Sequence, residues 1–273
     1  MQKLKILFAT SEIDPFLKIT SAADIIRMLP QGLQERGHEI RILMPKFGII
    51  NERRNRLHEV VRLSGINIRV GNEEKPLTIK VASIPNAKLQ VYFLDNEDYF
   101  NRKSALTDPK SNQLYSDNDE RSIFFCKGAI ETVKKLGWGP DIIHCHDWMT
   151  SLIPYYLKTL YKDDPMFQNT KVVYSIYNNH DHNTQLSDNF LEKAKLDTAP
   201  SELIASLKSN NLDGVMRGGI SLCDAVAHGD QKISSDLNSF IRNQDKLCLE
   251  YSDSSDKESY VDKYQELYQN ILN

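Results

Sequence analysis

The chain has 273 residues, 40% hydrophobic and 26% charged, with a formal net charge of -3. That composition predicts a packed core rather than a disordered chain. It carries no basic excess that would mark a nucleic-acid groove, and no apolar run approaches the roughly 20 residues of a membrane span.

KLKILFA near the N-terminus reads as a short strand buried on both faces. A helix follows from Ser21 to Arg36, with Ile25, Leu29 and Leu33 on one face, Ser21 as N-cap and Gly37 as the stop. Pro30 inside it predicts a kink or a crowded turn. EIRILMP is the next strand and completes a βαβ unit. Between Arg53 and Leu94, RLHEVVRL, GINIRVG, PLTIKVASI and LQVYFLD are rich in β-branched residues, with GNEEKP and PNAK as turns. These predict hairpin strands added to the sheet. The polar run from Asp95 to Asp119 reads as a long loop. SDNDERSIFFCKGAIETVKKLG then reads as a helix stopped by Gly137, with Ile123, Cys126, Ile130 and Val133 sharing a face.

DIIHCHD is a strand and WMTSLIPYYLKTLY a helix; KVVYSIYN is a further strand, followed by the irregular NHDHNTQ. SELIASLKS and GVMRGGISLC read as helices, CDAVAHG as a short strand, and KISSDLNSFIRN as a helix. After the polar EYSDSSDKES, YVDKYQELYQNIL is an amphipathic helix with Val261, Tyr264, Tyr268 and Ile271 on one side. Strands alternating with helices predict an α/β fold with a Rossmann-like, doubly wound, mostly parallel sheet. Cys126, Cys145, Cys223 and Cys248 form no C-x-x-C pair, and the apolar run after Lys3 and Lys5 is too short for a signal peptide. Both point to a cytoplasmic protein.

Ligands of open α/β sheets bind outside the carboxyl ends of the strands, so three strand ends become candidates. In SEIDPFLKITSAAD, Lys18 precedes a helix N-terminus, where backbone N–H groups favour anions. It reads either as a phosphate-binding lysine or as a solvated surface one. In HCHDW, His144 and His146 point to the same side of a strand. They read as hydrogen-bonded histidines or, with a third ligand from HDH at His180–His182, as a metal site; no metal is assigned. Asp147 and Trp148 offer a carboxylate to sugar hydroxyls and a ring for stacking. In YSIYNNHDHN, Tyr177 and Asn178 end a strand, and Asn178 reads as a ligand contact or as part of a turn-forming Asn-Asn pair.

Taken in order, ILFATSEIDPFLK, the following AD and LP, and GHEIRILMPKF resemble the start of bacterial glycogen synthases and plant starch synthases. That start reads SE-x-x-P-F-x-K-T-G-G-L-A-D, with later L-P and R-G-H. VYFLDNEDYF, the D-N-x-E-R pattern before a helix, GWGPDIIHCHDW and GGISLCDAV continue the resemblance over most of residues 3–242. It implies the N-terminal half of a two-Rossmann (GT-B) glycosyltransferase, with the domain over residues 1–250. Residues 251–273 would then be a polar linker and a C-terminal helix packing back on the same domain. Such enzymes move glucose from ADP-glucose to an α-1,4-glucan without a required metal, and no cofactor is implied. The resemblance implies that Lys18 neutralises phosphate, that Asp24 and Asn178 hold the sugar, and that Asp147 and Trp148 shape the acceptor cleft.

The sequence departs from the family at several of these places. Ile19-Thr20-Ser21 replace T-G-G, putting side chains where a backbone approaches phosphate. Tyr177 stands where V-H-N carries a histidine important for catalysis, and Met149 replaces the last residue of H-D-W-H. The expectation is also that this chain lacks the family's second domain. The expectation is therefore a degenerate domain, inactive alone, that binds α-glucan or serves as a regulatory or partner subunit in storage-polysaccharide metabolism; no catalytic residue is assigned. The alternative is an ADP-glucose-dependent glucosyltransferase completed by a partner chain that supplies the C-terminal domain.

Overall fold

In the first strand, β1 (Lys5–Ala9), every residue after Lys5 is buried. A strand apolar on both faces needs a layer on each side, and β1 accordingly lies in the middle of the sheet. The computed structural model describes residues 3–178, 184–195 and 205–273. Its strands are β1, β2 (Glu39–Pro45), β3 (His58–Glu59), β4 (Ile66–Val70), β5 (Glu73–Ser83), β6 (Gln90–Asp95), β7 (Ile142–His146), β8 (Lys171–Ile176), β9 (Ala225–His228) and β10 (Leu247–Leu249). The order across the sheet is β10-β9-β8-β7-β1-β2-β6-β5-β3, with β4 paired to β5. Every pairing from β10 through β1 to β6 is parallel. β5 runs antiparallel to β6, β3 and β4.

The chain therefore winds outward from β1 through β2 to β6, then returns to the other side of β1 at β7. This reversal makes the carboxyl ends of β1 and β7 the topological switch point, where α/β sheets leave a crevice. Among the described residues the α-helices are α1 (Ala22–Glu35), α2 (Glu97–Phe100), α3 (Asn118–Leu136), α4 (Leu152–Lys158), α5 (Phe190–Ala194), α6 (Leu212–Leu222), α7 (Ser235–Arg242) and α8 (Lys257–Leu272). Among the described residues, no helix is long and apolar enough to cross a membrane.

Several local expectations change in the folded chain. Ser21 occupies the N-cap position of α1 but makes no capping bond; the hydroxyl of Thr20 accepts from Ala22 N instead, at 3.1 Å. Pro30 is buried within α1, and the helix continues through it to Glu35. Of GNEEKP, only Gly71 and Asn72 turn the chain. Glu73 to Pro76 belong to β5, because the ladder with β4 draws them in as far as Asn67 opposite Pro76. RLHEVVRL forms a strand only at His58 and Glu59, and WMTSLIPYYLKTLY divides into a 3-10 turn and α4.

α3 is buried on most of its circumference, packed by β2, β4 and β6 and by α4, α5 and the 3-10 turn at Trp148–Thr150. The long loop before it is ordered by Arg121, which is 0% exposed and donates to the Ala105 carbonyl at 2.7 Å and to Asn118 Oδ1. Its guanidinium lies 5.3 Å from the ring centres of both Phe47 and Phe100. At the other end of the chain, α8 packs on α1. Gly32 makes the approach possible, since a Cβ there would come within 2.6 Å of Val261 Cγ2. Arg36 ties the helices at the rim, 3.0 Å from Glu258 and 2.9 Å from Asp262.

Candidate functional site

The loop after β1 begins the crevice, and Glu12 organises it. Its carboxylate is 5% exposed and accepts from Ile19 N and Thr20 N, both at 2.7 Å, and from the Thr20 hydroxyl at 2.6 Å. Successive backbone N–H groups before a helix form an anion-binding concavity. Here an internal carboxylate fills it. Burial raises the Glu12 carboxyl above its ordinary range; the bonds from Thr20 and Ile19 pull it back, and Asp147 pushes it further up. Lys18 extends outward and pairs with Asp24, both half exposed at the surface. The bond to Asp24 is the main reason the Lys18 ammonium is held above its usual range.

β7 contributes the opposite wall. Its alternation puts His144 and His146 on one side, with ring centres 4.1 Å apart. His144 is saturated: Nδ1 lies 2.7 Å from the Tyr268 hydroxyl on α8 and Nε2 2.7 Å from Ser175 Oγ on β8. His146 Nδ1 lies 2.9 Å from the Tyr177 hydroxyl. Burial keeps both imidazoles neutral, His144 well below the ordinary histidine range and His146 down to about 3. His180 and His182 lie outside the described residues. Among the described residues, no group of three or more His, Cys, Asp or Glu could hold a metal.

Asp147 follows with φ +63° and ψ 177°, a conformation that favours glycine and costs an ordinary residue about 1–3 kcal/mol. It is held there by its own N–H, donating to the Ser175 carbonyl at 3.0 Å, and by its carbonyl, which accepts the Thr150 hydroxyl at 2.9 Å. Trp148 is 2% exposed and Met149 0%. The Met149 carbonyl accepts from Ser122 Oγ at 3.0 Å on α3. Tyr177 is 3% exposed, and its ring presses on Gly229, where a Cβ would fall 2.3 Å from Cε1. Burial raises its phenol well above the ordinary range, with further upward pushes from Tyr264, Asp147 and Glu12. Asn178 is exposed at the strand end.

The six residues singled out from sequence thus fall into two sets. Lys18, Asp24 and Asn178 lie at the surface, with Lys18 joined to Asp24. Asp147, Trp148 and Tyr177 are buried at the switch point beside Glu12 and His146. Two participants were not foreseen. Glu12 was visible only as one letter of S-E-x-x-P-F. The tyrosines of α8 share a helix face at four-residue spacing, but nothing local announces that Tyr268 reaches a histidine 124 residues earlier in the chain.

Comparison with known proteins now adds a lineage to the geometry. The starch synthase catalytic domain family matches residues 5–240. The chain belongs to that family. A glycogen synthase of Chlorobium limicola is 44% identical over 177 residues, covering 65% of this chain and 36% of the relative. The glycogen synthase of Chlorobium chlorochromatii is 42% identical over 203 residues, covering 74% of this chain and 40% of the relative. The matched region is thus well under half the length of these curated relatives. Among solved structures, the catalytic domain of starch synthase IV from Arabidopsis thaliana, bound to ADP and acarbose, superposes with a TM-score of 0.75 at 18% identity. It matches 95% of this chain and 53% of that one, so the α/β architecture expected from the sequence is the one observed, over about half of the plant domain.

Proposed function

We propose that this chain is a glycogen/starch synthase-like domain that does not transfer glucose by itself and acts as an α-glucan-binding or regulatory unit in storage-polysaccharide metabolism. The observation that carries the reading is the Ile19-Thr20-Ser21 segment, whose side chains replace T-G-G and which closes on Glu12. The N–H groups of Ile19 and Thr20, which a donor phosphate would need, already serve its carboxylate. A phosphate entering the loop would have to displace a charged, buried acceptor and leave it uncompensated.

Two neighbours point the same way. Tyr177, in place of a histidine, is committed to His146 and is too deep to protonate or deprotonate a substrate near neutrality. The Trp148 ring lies in the core, so sugar stacking falls to exposed residues instead. Lys18, Asp24 and Asn178 remain accessible for a polyhydroxylated ligand.

The test is incorporation of labelled glucose from ADP-glucose into glycogen by the purified chain, with glycogen co-sedimentation in parallel. We expect no label above a boiled-protein blank, together with co-sedimentation that competing maltooligosaccharide releases. Transfer by the chain alone would overturn the reading. Transfer only after addition of a partner bearing the second domain would replace it with the partner-completed glucosyltransferase.

A further inference from the structure

A sizeable cavity lies away from the switch point, on the helical face where β4, α3 and α4 meet. It encloses about 860 Å3 and shares no residue with the loops after β1 and β7. That size matches ordinary small-molecule sites, about 300–1,000 Å3. Its charge is one-sided. Among the described residues, Arg69, Lys127, Lys158, Lys162 and Lys195 line it against one carboxylate, Glu131. Glu131 is already engaged, accepting from the Tyr161 hydroxyl at 2.8 Å.

Lys127 is the unusual member. It projects from the middle of α3, is 5% exposed, and donates to the Arg69 carbonyl at 2.9 Å, with its ammonium 5.1 Å from the centre of the Tyr156 ring. Among the described residues, no carboxylate lies within ion-pair distance of it. Burial, with Lys195 and Arg69 adding like charge, lowers its ammonium to about 8. A buried cation among other cations is costly unless an anion joins it. The cations also line one concavity, which suits a compact dianion better than an extended polyanion. Ile66 and Leu160 add apolar wall beside them.

We propose that this cavity binds a small phosphate monoester, its phosphate held by Lys127 and Arg69 with Lys195 nearby, and its uncharged body against Ile66 and Leu160. Arg69 can engage two phosphate oxygens at once, while Lys127 acts as a fixed point charge. The site is separate from the switch-point loops, so it stands whether or not the chain transfers glucose.

Isothermal titration calorimetry of the whole chain at low ionic strength tests this, with phenyl phosphate, inorganic phosphate and phenol as probes. Phenyl phosphate should bind saturably, inorganic phosphate several-fold more weakly, and phenol not at all. Lys127→Met, an apolar replacement of similar shape, should weaken phenyl phosphate at least tenfold. Lys158→Ala/Lys195→Ala, at the mouth, should weaken it several-fold and serves if Lys127→Met does not fold. No saturable heat, or unchanged affinity in these variants, overturns the proposal. So does binding lost in Lys18→Ala but kept in Lys127→Met, which would put the anion at the β1 loop. Equal affinity for inorganic phosphate and phenyl phosphate would overturn the ester assignment in favour of a free-phosphate site.

Discussion

The two histidines of β7 should make this fold acid-labile in a defined window. Their immediate neighbours are uncharged: Tyr268 and Ser175 hydroxyls for His144, the Tyr177 hydroxyl for His146, and the Phe8 ring stacked 5.8 Å from His146. Among the described residues, no carboxylate bonds to either ring, so neither gains from protonation in the fold. In the unfolded chain both return to the ordinary value of 6.5, whereas in the fold His146 titrates only at about 3 and His144 is also well below 6.5. The folded state therefore binds fewer protons. The associated stability is present above 6.5 and is lost as pH falls through the region between 6.5 and the depressed folded values.

The loss follows from the proton difference. Going from about pH 7 to about pH 5, a histidine that titrates normally when unfolded and stays neutral when folded, as His146 does, removes about 2 kcal/mol, and His144 adds to the loss in the same direction. Urea unfolding followed by circular dichroism at the two pH values measures the total. Comparison with His146→Gln, which keeps a polar side chain near Tyr177, isolates one member. That variant will be less stable throughout, but its loss on acidification should be smaller than the parent's by about 2 kcal/mol. Parallel stability curves for parent and variant across this window would refute a neutral, buried His146.

Three further outcomes follow from the same contacts. Glu12→Ala should cost about 2–4 kcal/mol in urea unfolding, because it leaves the Ile19 and Thr20 N–H groups without their acceptor, whereas Lys18→Ala should stay within about 0.5 kcal/mol because its pair with Asp24 is exposed. Gly32→Ala should destabilise by about 1–3 kcal/mol through the clash with Val261, and Gly32→Ala/Val261→Ala should lose less than the two single changes added together. Gly229→Ala should be strongly destabilising by thermal melting while Tyr177 is present and nearly tolerated with Tyr177→Ala, since the Tyr177 ring occupies the space a Cβ would take.

What could be read from the sequence was what depends on neighbours in the chain. An apolar run such as ILFA is a central strand because a strand buried on both faces must be apolar throughout. The four-residue spacing in α1 and α8 marks helices with one apolar face. Gly137 ends α3 at φ +62°, a conformation a glycine adopts without a Cβ penalty. The ordered motifs from Ser11 to Val226 carried the family. The same alternation placed His144 and His146 on one side.

Tertiary structure decided what depends on partners far along the chain. Leu247–Leu249 has no strong strand signal and becomes β10 because β9 offers an unpaired edge. Glu73–Pro76 looked like a turn and became strand because β4 pairs with it. Lys18 and Asp24 sit on adjoining turns and neutralise each other only because the loop folds around Glu12. Trp148 and Tyr177 are residue types that serve ligands or cores equally well. Gly229 after β9 and the tyrosines of α8 close over Tyr177, and α3 and α6 pack against the turn that carries Trp148, which made both of them core. A side chain's chemistry is local, but whether water, a ligand or another side chain satisfies it is set by contacts more than a hundred residues away, as Tyr268 on His144 illustrates.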